Sequence, residues 1–528
     1  MLDGLRHRLW WSTQQKIITS AVVIVLLAAG IVYVVCLFMS DDRSCAAGVS
    51  RPQGSDECVG VSGGGYDFGR SQLTSVTAAI GRENSSLEKD RYVTVALLLP
   101  LTSTDPSMRT KVLRELQGAF AAQYRANHQS NGQVPKIRLA LANTGANNLL
   151  WQPVVDRLKT MTGAPHRLRA VSSVATSSAQ TKSAVKALTG AGIAVVGSTI
   201  TADDIANGPG ADTDPFPGLA RVSPTNRDEA RALTSFGEKI KAGKALLVQD
   251  TRQGDHYTDT LKSAFSALLK GSRYEPQLFT SREDPNDEGN TANTFEQITH
   301  LICDTDAEAV YFAGRHVQLR QFINALGARG CQNRSFLVLT GDEGSYLGRD
   351  KKLDLDALRH DVTVRYAALA HPDTWPAAAA AAKEKAQNAP TGGSADDYRA
   401  FTDLLETVGK KPVGPVGTIE KDDLTDGQVI IAHDAMTLAV AAIRRATTGG
   451  SQLPALEDVS SQWPQIKGSL RVRGASGWIC LDNHGNPYNK AVPVVELAPD
   501  PPHQRFAALA WPEGRAPDTR CLTPAPTP

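Results

Sequence analysis

Three hydroxyl-rich clusters are the residues of this chain best suited to chemistry: Thr102-Ser103-Thr104, Thr176-Ser177-Ser178 and Ser198-Thr199-Ile200-Thr201. Each lies just beyond an apolar run of strand length. Hydroxyls grouped with the free N–H groups of helix N-termini hold an anion such as a carboxylate. The same residues are also ordinary helix caps. Three clusters on successive strands favour a shared polar cleft, because ligands of open α/β sheets bind beyond the carboxyl ends of the strands. No comparable set points to catalysis. Gly60–Gly64 (GVSGG) matches GxSxG but lacks the strand-turn-helix setting of a nucleophile elbow. Gly237–Lys244 (GEKIKAGK) spaces its glycines wrongly for a phosphate loop and is followed by Ala245 rather than Ser or Thr. There is no HExxH and no CxxC, and the 11 histidines are scattered, so neither a metal nor a cofactor is expected. A carboxylate pair of the glycosidase kind carries no sequence signature and stays open. The expectation is a binding protein, not an enzyme.

The elements that position these clusters alternate. Tyr92–Pro100 is a continuous apolar run, followed by a helix over 108–127 whose Val112, Leu113, Leu116, Ala119 and Phe120 share a face. Strands at Ile137–Ala142, Leu168–Ser172 and Ile193–Gly197 alternate with helices over 151–162 and 178–189. The rhythm restarts with strands at Ala245–Gln249, Ala309–Ala313 and Phe336–Thr340 and helices over 257–270 and 316–328. Strands apolar on both faces between amphipathic helices imply parallel sheets covered on both sides. The fold class is therefore α/β, with two doubly wound lobes. Lobe I takes 91–222 plus about 370–455, and lobe II takes 223–368 plus about 456–500. A helix is expected over 428–446. Residues 40–70 read as a flexible spacer, and 501–528 as a Pro-rich tail.

Ile17–Met39 is uncharged and apolar. About 23 helical residues span roughly 34 Å, enough for a hydrocarbon core of roughly 30 Å. Arg6, Arg8 and Lys16 precede the run, Asp41 and Asp42 follow it, and Trp10 and Trp11 stand where interfacial anchors would. The charge asymmetry places residues 1–16 in the cytoplasm and the bulk outside, as a single-pass signal-anchor over 17–39. A cleaved signal peptide is the competing reading. Cys36 lies in the apolar run, leaving Cys45, Cys58, Cys303, Cys331, Cys480 and Cys521 in an oxidising compartment. The sequential pairing 45–58, 303–331 and 480–521 is the simplest that six cysteines allow. With 56 basic against 55 acidic residues, the chain has no global field to gather nucleic acid.

The ordered pieces LLLPLTS, ELQGAFAAQYRAN, VSSVATSSAQTKSAV, AVVGSTITADDI, LLVQDTRQGDHYTDTLKSAF, VLTGDEGSYL, GQVIIAHDAMTLAVAAI and GASGWICLDNHGNPY run across residues 91–495. Together they resemble the type I periplasmic-binding family, whose archetype is the leucine/isoleucine/valine-binding protein. The same fold forms the ligand-binding region of amino-acid-sensing receptors. The resemblance implies a solute-binding protein that closes on a small zwitterion, an amino acid or similar. It would serve an ABC permease or a membrane signalling partner, or act as an ectodomain whose small-molecule binding is altered or lost. Ser177, Ser178, Thr199 and Thr201 would hold the ligand carboxylate, Glu343 its ammonium, and Tyr257 would close over it; Thr102 and Ser103 are expected to bind the ligand as part of the same hydroxyl-rich cleft. The family shows Tyr-Gly where this chain has Tyr257-Thr258, so Tyr257 also reads as core and Glu343 as a solvated loop acid. Family members of single-membrane cells are lipoproteins, but neither Cys36 nor Cys45 has the preceding small residues lipidation requires.

Overall fold

The computed structural model describes residues 13–38, 43–88, 91–129, 134–174, 176–208, 214–236, 242–282, 288–409, 416–447 and 453–522. Arg6, Arg8, Trp10, Trp11, Met39, Asp41 and Asp42 lie outside the described residues. The lobe I sheet contains β1 (Ser44–Ala46), β2 (Val49–Ser50), β3 (Val59–Ser62), β4 (Tyr92–Leu99), β5 (Lys136–Asn143), β6 (Leu168–Val174), β7 (Ala194–Gly197) and β8 (Leu219–Arg221). Its order is β1-β2-β3-β5-β4-β6-β7-β8. Lobe II begins with β9 (Ala245–Asp250), β10 (Gln277–Phe279), β11 (Ala309–Ala313), β12 (Phe336–Thr340) and β13 (Val362–Ala367). A small hairpin, β14 (Val472–Gly474) with β15 (Gly477–Ile479), precedes β16 (Val492–Leu497) and β17 (Gln504–Ala510). The second large sheet runs β10-β9-β11-β12-β13-β16-β17.

Alternation along β4 shows why these runs form central strands. Val93, Val95, Leu97 and Leu99 join one core cluster, while Ala96 and Leu98 join another on the opposite face. A strand buried on both faces needs helices on both, and each buried aliphatic side chain contributes roughly 1.5–3 kcal/mol. Helix Pro106–His128 supplies one cover and packs on helix Gln428–Ala446, which returns to lobe I late in the chain. Gly118 makes this contact possible: a Cβ there would lie 2.2 Å from the Val429 carbonyl oxygen.

Up to β16 the chain passes between lobes at three places, and after β17 it returns to lobe I, where Trp511 packs and Cys521 bonds Cys480. Val222 belongs to the lobe I core and Ala230 to that of lobe II. The return runs from Ala367 and Ala368 to Leu369 and Ala370, and the last passage from Ala491 to Val492. Three adjacent crossings give a hinge rather than a single tether.

Three expected boundaries change. The described part of residues 40–70 is not a loose spacer: β3 pairs antiparallel with β5 and extends the lobe I sheet, pinned by the Cys45–Cys58 disulfide. The 501–528 segment begins as β17, paired with β16, and is tied back by Cys480–Cys521. Residues expected in lobe II divide, since Val459, Trp463, Ile466 and Ile479 pack in lobe I while β16 completes lobe II. Cys303–Cys331 forms the third bridge, so all three sequential pairings are present. Among the described residues no helix is long and apolar enough to cross a membrane. Helix Thr13–Phe38 has its side chains described over residues 17–30 only, about 21 Å of helix.

Candidate functional site

In both lobes the five parallel strands follow a 2-1-3-4-5 order, β5-β4-β6-β7-β8 and β10-β9-β11-β12-β13. The order reverses between β4 and β6 and between β9 and β11, which opens a crevice beyond the strand ends at each point. Ser177 follows β6, while Arg315 and the Asp255–Tyr257 segment follow β11 and β9. These two crevices meet face to face.

Arg315 fills the junction. Its Nε and Nη2 donate to Asp255 Oδ2 and Oδ1 at 2.9 and 2.7 Å, and Nη1 donates to Glu343 Oε1 at 2.7 Å. Nη2 also donates across the cleft to the Ser177 carbonyl at 3.2 Å. The guanidinium sits 4.7 Å from the Tyr257 ring centroid, within cation–π range. Glu343 Oε2 accepts from the His316 N–H at 3.1 Å and contacts His316 Nδ1 at 2.7 Å. Burial opposes ionisation of Glu343, yet Arg315 and His316 hold its carboxyl well below the usual range. Asp255 is likewise held low by Arg315 against its burial.

The remaining expected site residues divide into those at the lobe junction and those away from it. Ser177 Oγ accepts from the N–H groups of Thr201 and Ala202, both at 3.2 Å, and the Ser177 carbonyl accepts from the Tyr257 N–H at 3.2 Å. Thr199 Oγ1 accepts from Lys111 Nζ at 2.8 Å, and the same ammonium donates to Tyr346 of lobe II at 3.0 Å. Thr201 Oγ1 donates to Asp342 Oδ1 at 3.4 Å, and Tyr257 OH accepts from the Glu343 N–H at 3.3 Å. Ser178 is a helix cap, accepting from the Thr181 N–H at 3.2 Å. Thr102 donates to Glu57 Oε2 at 2.6 Å, and the Ser103 N–H donates to the Pro100 carbonyl at 3.1 Å. Thr102, Ser103 and Ser178 therefore contact groups within lobe I, whereas Ser177, Thr199, Thr201, Tyr257 and Glu343 converge where the lobes meet. The place foreseen for a ligand ammonium beside Glu343 is taken by Arg315. Lys111 likewise takes the place of a carboxylate beside Thr199.

A buried acid pair backs this junction. The Asp342 N–H donates to Glu229 Oε2 at 3.1 Å. Burial, reinforced by Glu343, pushes Asp342 up to about 7, and burial with Asp342 raises Glu229 well above its ordinary value. Gly341 permits the approach: a Cβ there would lie 2.6 Å from Tyr257 OH.

Beside the filled junction lies a cavity of about 530 Å³ between the lobes. Thr110 and Lys111 line it from lobe I, His316, Ser345 and Tyr346 from lobe II, and Gln428 from the returning helix. Three buried polar atoms of these lining residues have no hydrogen-bond partner among the described residues, and none of the three is open to the cavity: His316 Nε2, Ser345 Oγ and Gln428 Oε1. Their residues are 8%, 5% and 2% exposed. Leaving such groups unpaired costs roughly 1–3 kcal/mol each. None of these three was foreseen, nor were Lys111 and Arg315. Gly314-Arg315-His316 directly after the apolar run AVYFA was the one available signal.

Two α/β lobes, three crossings and a cleft at facing switch points define a two-lobed binding fold. Neither a family model nor a curated protein sequence matches the chain. Solved structures do match. One is the branched-chain amino acid transporter substrate binding protein LivJ from Streptococcus pneumoniae in complex with isoleucine: 14% identity, TM-score 0.53, 80% of this chain and 99% of that one. Another is the leucine binding protein LivK from Thermotoga maritima, at 16% identity and TM-score 0.53, over 80% of this chain and 99% of that one. A substrate binding protein of an ABC transporter from Aeropyrum pernix matches at 12% identity and TM-score 0.56, over 81% and 97%. These are binding proteins, not enzymes, and this chain has their fold, the type I periplasmic-binding fold.

Proposed function

We propose that this protein is a membrane-anchored, extracytoplasmic solute-binding protein that closes its lobes on a small polar molecule and hands it to an ABC-type permease. The observation that carries the reading is the cavity of about 530 Å³ walled by polar and charged residues of both lobes, beside the point where the two crevices meet. A hinge of three crossings lets such a cavity open and close, and binding selects the closed form. The solved structures of this fold include proteins named for leucine and isoleucine. A zwitterion seated as in the resemblance would have to displace Arg315 and Lys111, so the cavity beside them is the better seat.

The anchor rests on the uncharged run Ile17–Met39 of the sequence and on the exposed apolar side chains of its described part. Ile17, Val25 and Leu26 stand 65%, 65% and 66% exposed. Lipid satisfies that surface where water does not. The disulfides agree with an oxidising side for the lobes. Carbonate-resistant membrane association, with protease reaching the lobes only from outside the cell, is the expected outcome.

A second reading, a signalling ectodomain, has its own support in the Arg315–Ser177 and Lys111–Tyr346 bridges, which join the lobes through the chain's own groups. Calorimetry and thermal shift of the full chain with a solute panel separate the two. Saturable heat with a rise in melting temperature supports solute binding, and silence across the panel supports the ectodomain.

A further inference from the structure

We propose that the pocket between Arg138, Arg157 and His166, at the amino ends of the lobe I strands, binds an anionic phosphate group, carried on a lipid headgroup or free in solution. The pocket has a volume of about 220 Å³ and adjoins a wider hollow, with which it shares Ala47, Ser62, Gly63 and Arg138. Its cations come from three elements: Arg138 from β5, Arg157 from the helix Trp151–Thr160, and His166 from the turn before β6. Among the described residues, no carboxylate lines the pocket or the hollow. The described acids that adjoin lining residues in sequence are engaged elsewhere. Asp156 pairs with Lys159 at 3.3 Å, Glu88 with Arg91 at 3.3 Å and Glu83 with His128 at 3.0 Å, while Asp67 accepts from the Thr74 hydroxyl at 2.7 Å. Arg138 Nη1 reaches the Tyr92 hydroxyl at 3.5 Å and Arg157 Nη1 the Thr160 hydroxyl at 3.3 Å. Arg138 Nε and Nη2 and both ring nitrogens of His166 have no hydrogen-bond partner among the described residues, and they are open to solvent. Two guanidinium groups at one cavity repel each other, and an anion between them removes that repulsion. The guanidinium fork matches phosphate oxygens in pairs.

The cations are held in place before any anion arrives. The Arg138 guanidinium lies 5.6 Å from the Tyr92 ring centroid, and a Cβ on Gly63 would lie 2.8 Å from its Nη2. The run Gly60–Gly64, which has no catalytic setting, thus passes directly beneath a guanidinium. Thr94 Oγ1 donates to the His166 carbonyl at 2.5 Å and Tyr92 OH to the Pro165 carbonyl at 3.2 Å, which fixes the turn that carries the imidazole. Burial together with Arg138 and Arg157 lowers the His166 pKa, in keeping with a positive local field. The pocket stands at the opposite end of the β4 and β5 strands from the inter-lobe cleft, so a solute held between the lobes leaves it free. Its place along the chain brings in lipid. Ala46 lines the adjoining hollow and follows Phe38 by eight positions, at most about 29 Å of chain. The lipid source therefore rests on the anchored reading, whereas the phosphate site does not.

The test titrates the full chain, in micelles of an uncharged maltoside, with inorganic phosphate, glycerophosphoglycerol and glycerol by calorimetry. Saturable binding is expected for at least one of the two phosphates and none for glycerol. The double variant Arg138→Gln, Arg157→Gln should weaken it at least 10-fold. Arg157→Gln alone, at an exposed position where the fold is not at risk, should weaken it at least 3-fold. Arg399→Gln removes the same charge from a distant exposed helix and should leave it unchanged. Silence toward both phosphates overturns the site, as does equal weakening by Arg399→Gln or unchanged affinity in both pocket variants. Hydrogen exchange of residues 59–66 in nanodiscs then separates the sources. Slower exchange with phosphatidylglycerol than with phosphatidylcholine alone, lost in the double variant, supports the headgroup. Identical exchange in the two, with inorganic phosphate bound, overturns the lipid source and keeps the free anion. Carbonate extraction and the solute panel report on the anchor and the cleft separately, so failure of this site leaves the solute-binding reading intact.

Discussion

Replacing Arg315 by Met keeps most of the side chain's bulk and removes its charge, so it isolates the electrostatics of the lobe junction. Asp255 and Glu343 are 4% and 5% exposed, and both depend on this guanidinium. Removing one partner of a buried ion pair costs roughly 3–5 kcal/mol, because the other charge stays buried and unpaired. Asp255 retains Arg252, and Glu343 retains His316, which places Arg315→Met near the lower end, about 3 kcal/mol. In a unit of lobe size each kcal/mol moves the melting temperature by about 2–4 °C, so scanning calorimetry at pH 7 should record a loss of roughly 6–12 °C. The pH dependence gives a second, independent readout. Both carboxyls are held below their unfolded values, so their contribution is present above those values and is lost as pH falls through the folded ones. Without Arg315 that contribution is gone, and the gap between variant and wild type should narrow as pH drops below about 4. A loss under about 1 kcal/mol at pH 7, or a gap unchanged down to pH 3, refutes the reasoning.

Other outcomes follow from the same contacts. Asp342→Asn should raise the urea midpoint relative to wild type more at pH 8 than at pH 5. The Asp342 carboxyl is pushed up to about 7, so it costs stability progressively as pH rises from its unfolded value of about 4 to about 7, and the cost is constant above that. Gly118→Ala should lower the melting temperature through a cost of about 1–3 kcal/mol, since the added Cβ meets the Val429 carbonyl rather than a yielding side chain. Replacing Cys303 and Cys331 together by Ser releases a 28-residue separation and should cost about 3–4 kcal/mol in chemical unfolding. Non-reducing peptide mapping should return the pairs 45–58, 303–331 and 480–521 and no others.

Period and composition alone determined most of the scaffold. The helix over 428–446 and the strands at 309–313 and 336–340 occur at the expected bounds, because fully buried strands and one-faced helices each impose a pattern that no neighbour alters. The short edge strands were not readable: β1 to β3 and β17 carry Gly-, Ser- or Pro-rich flanks, and only pairing with β5 and β16 makes them strands. The clusters of hydroxyls beyond the strands were visible as types but not as roles. Whether Thr199 meets a ligand or Lys111, and whether Glu343 meets an ammonium or Arg315, depends on side chains 88 and 28 residues away. Local sequence carries hydrogen-bonding capacity; the partner is chosen only when two lobes fold and their strand ends are brought face to face.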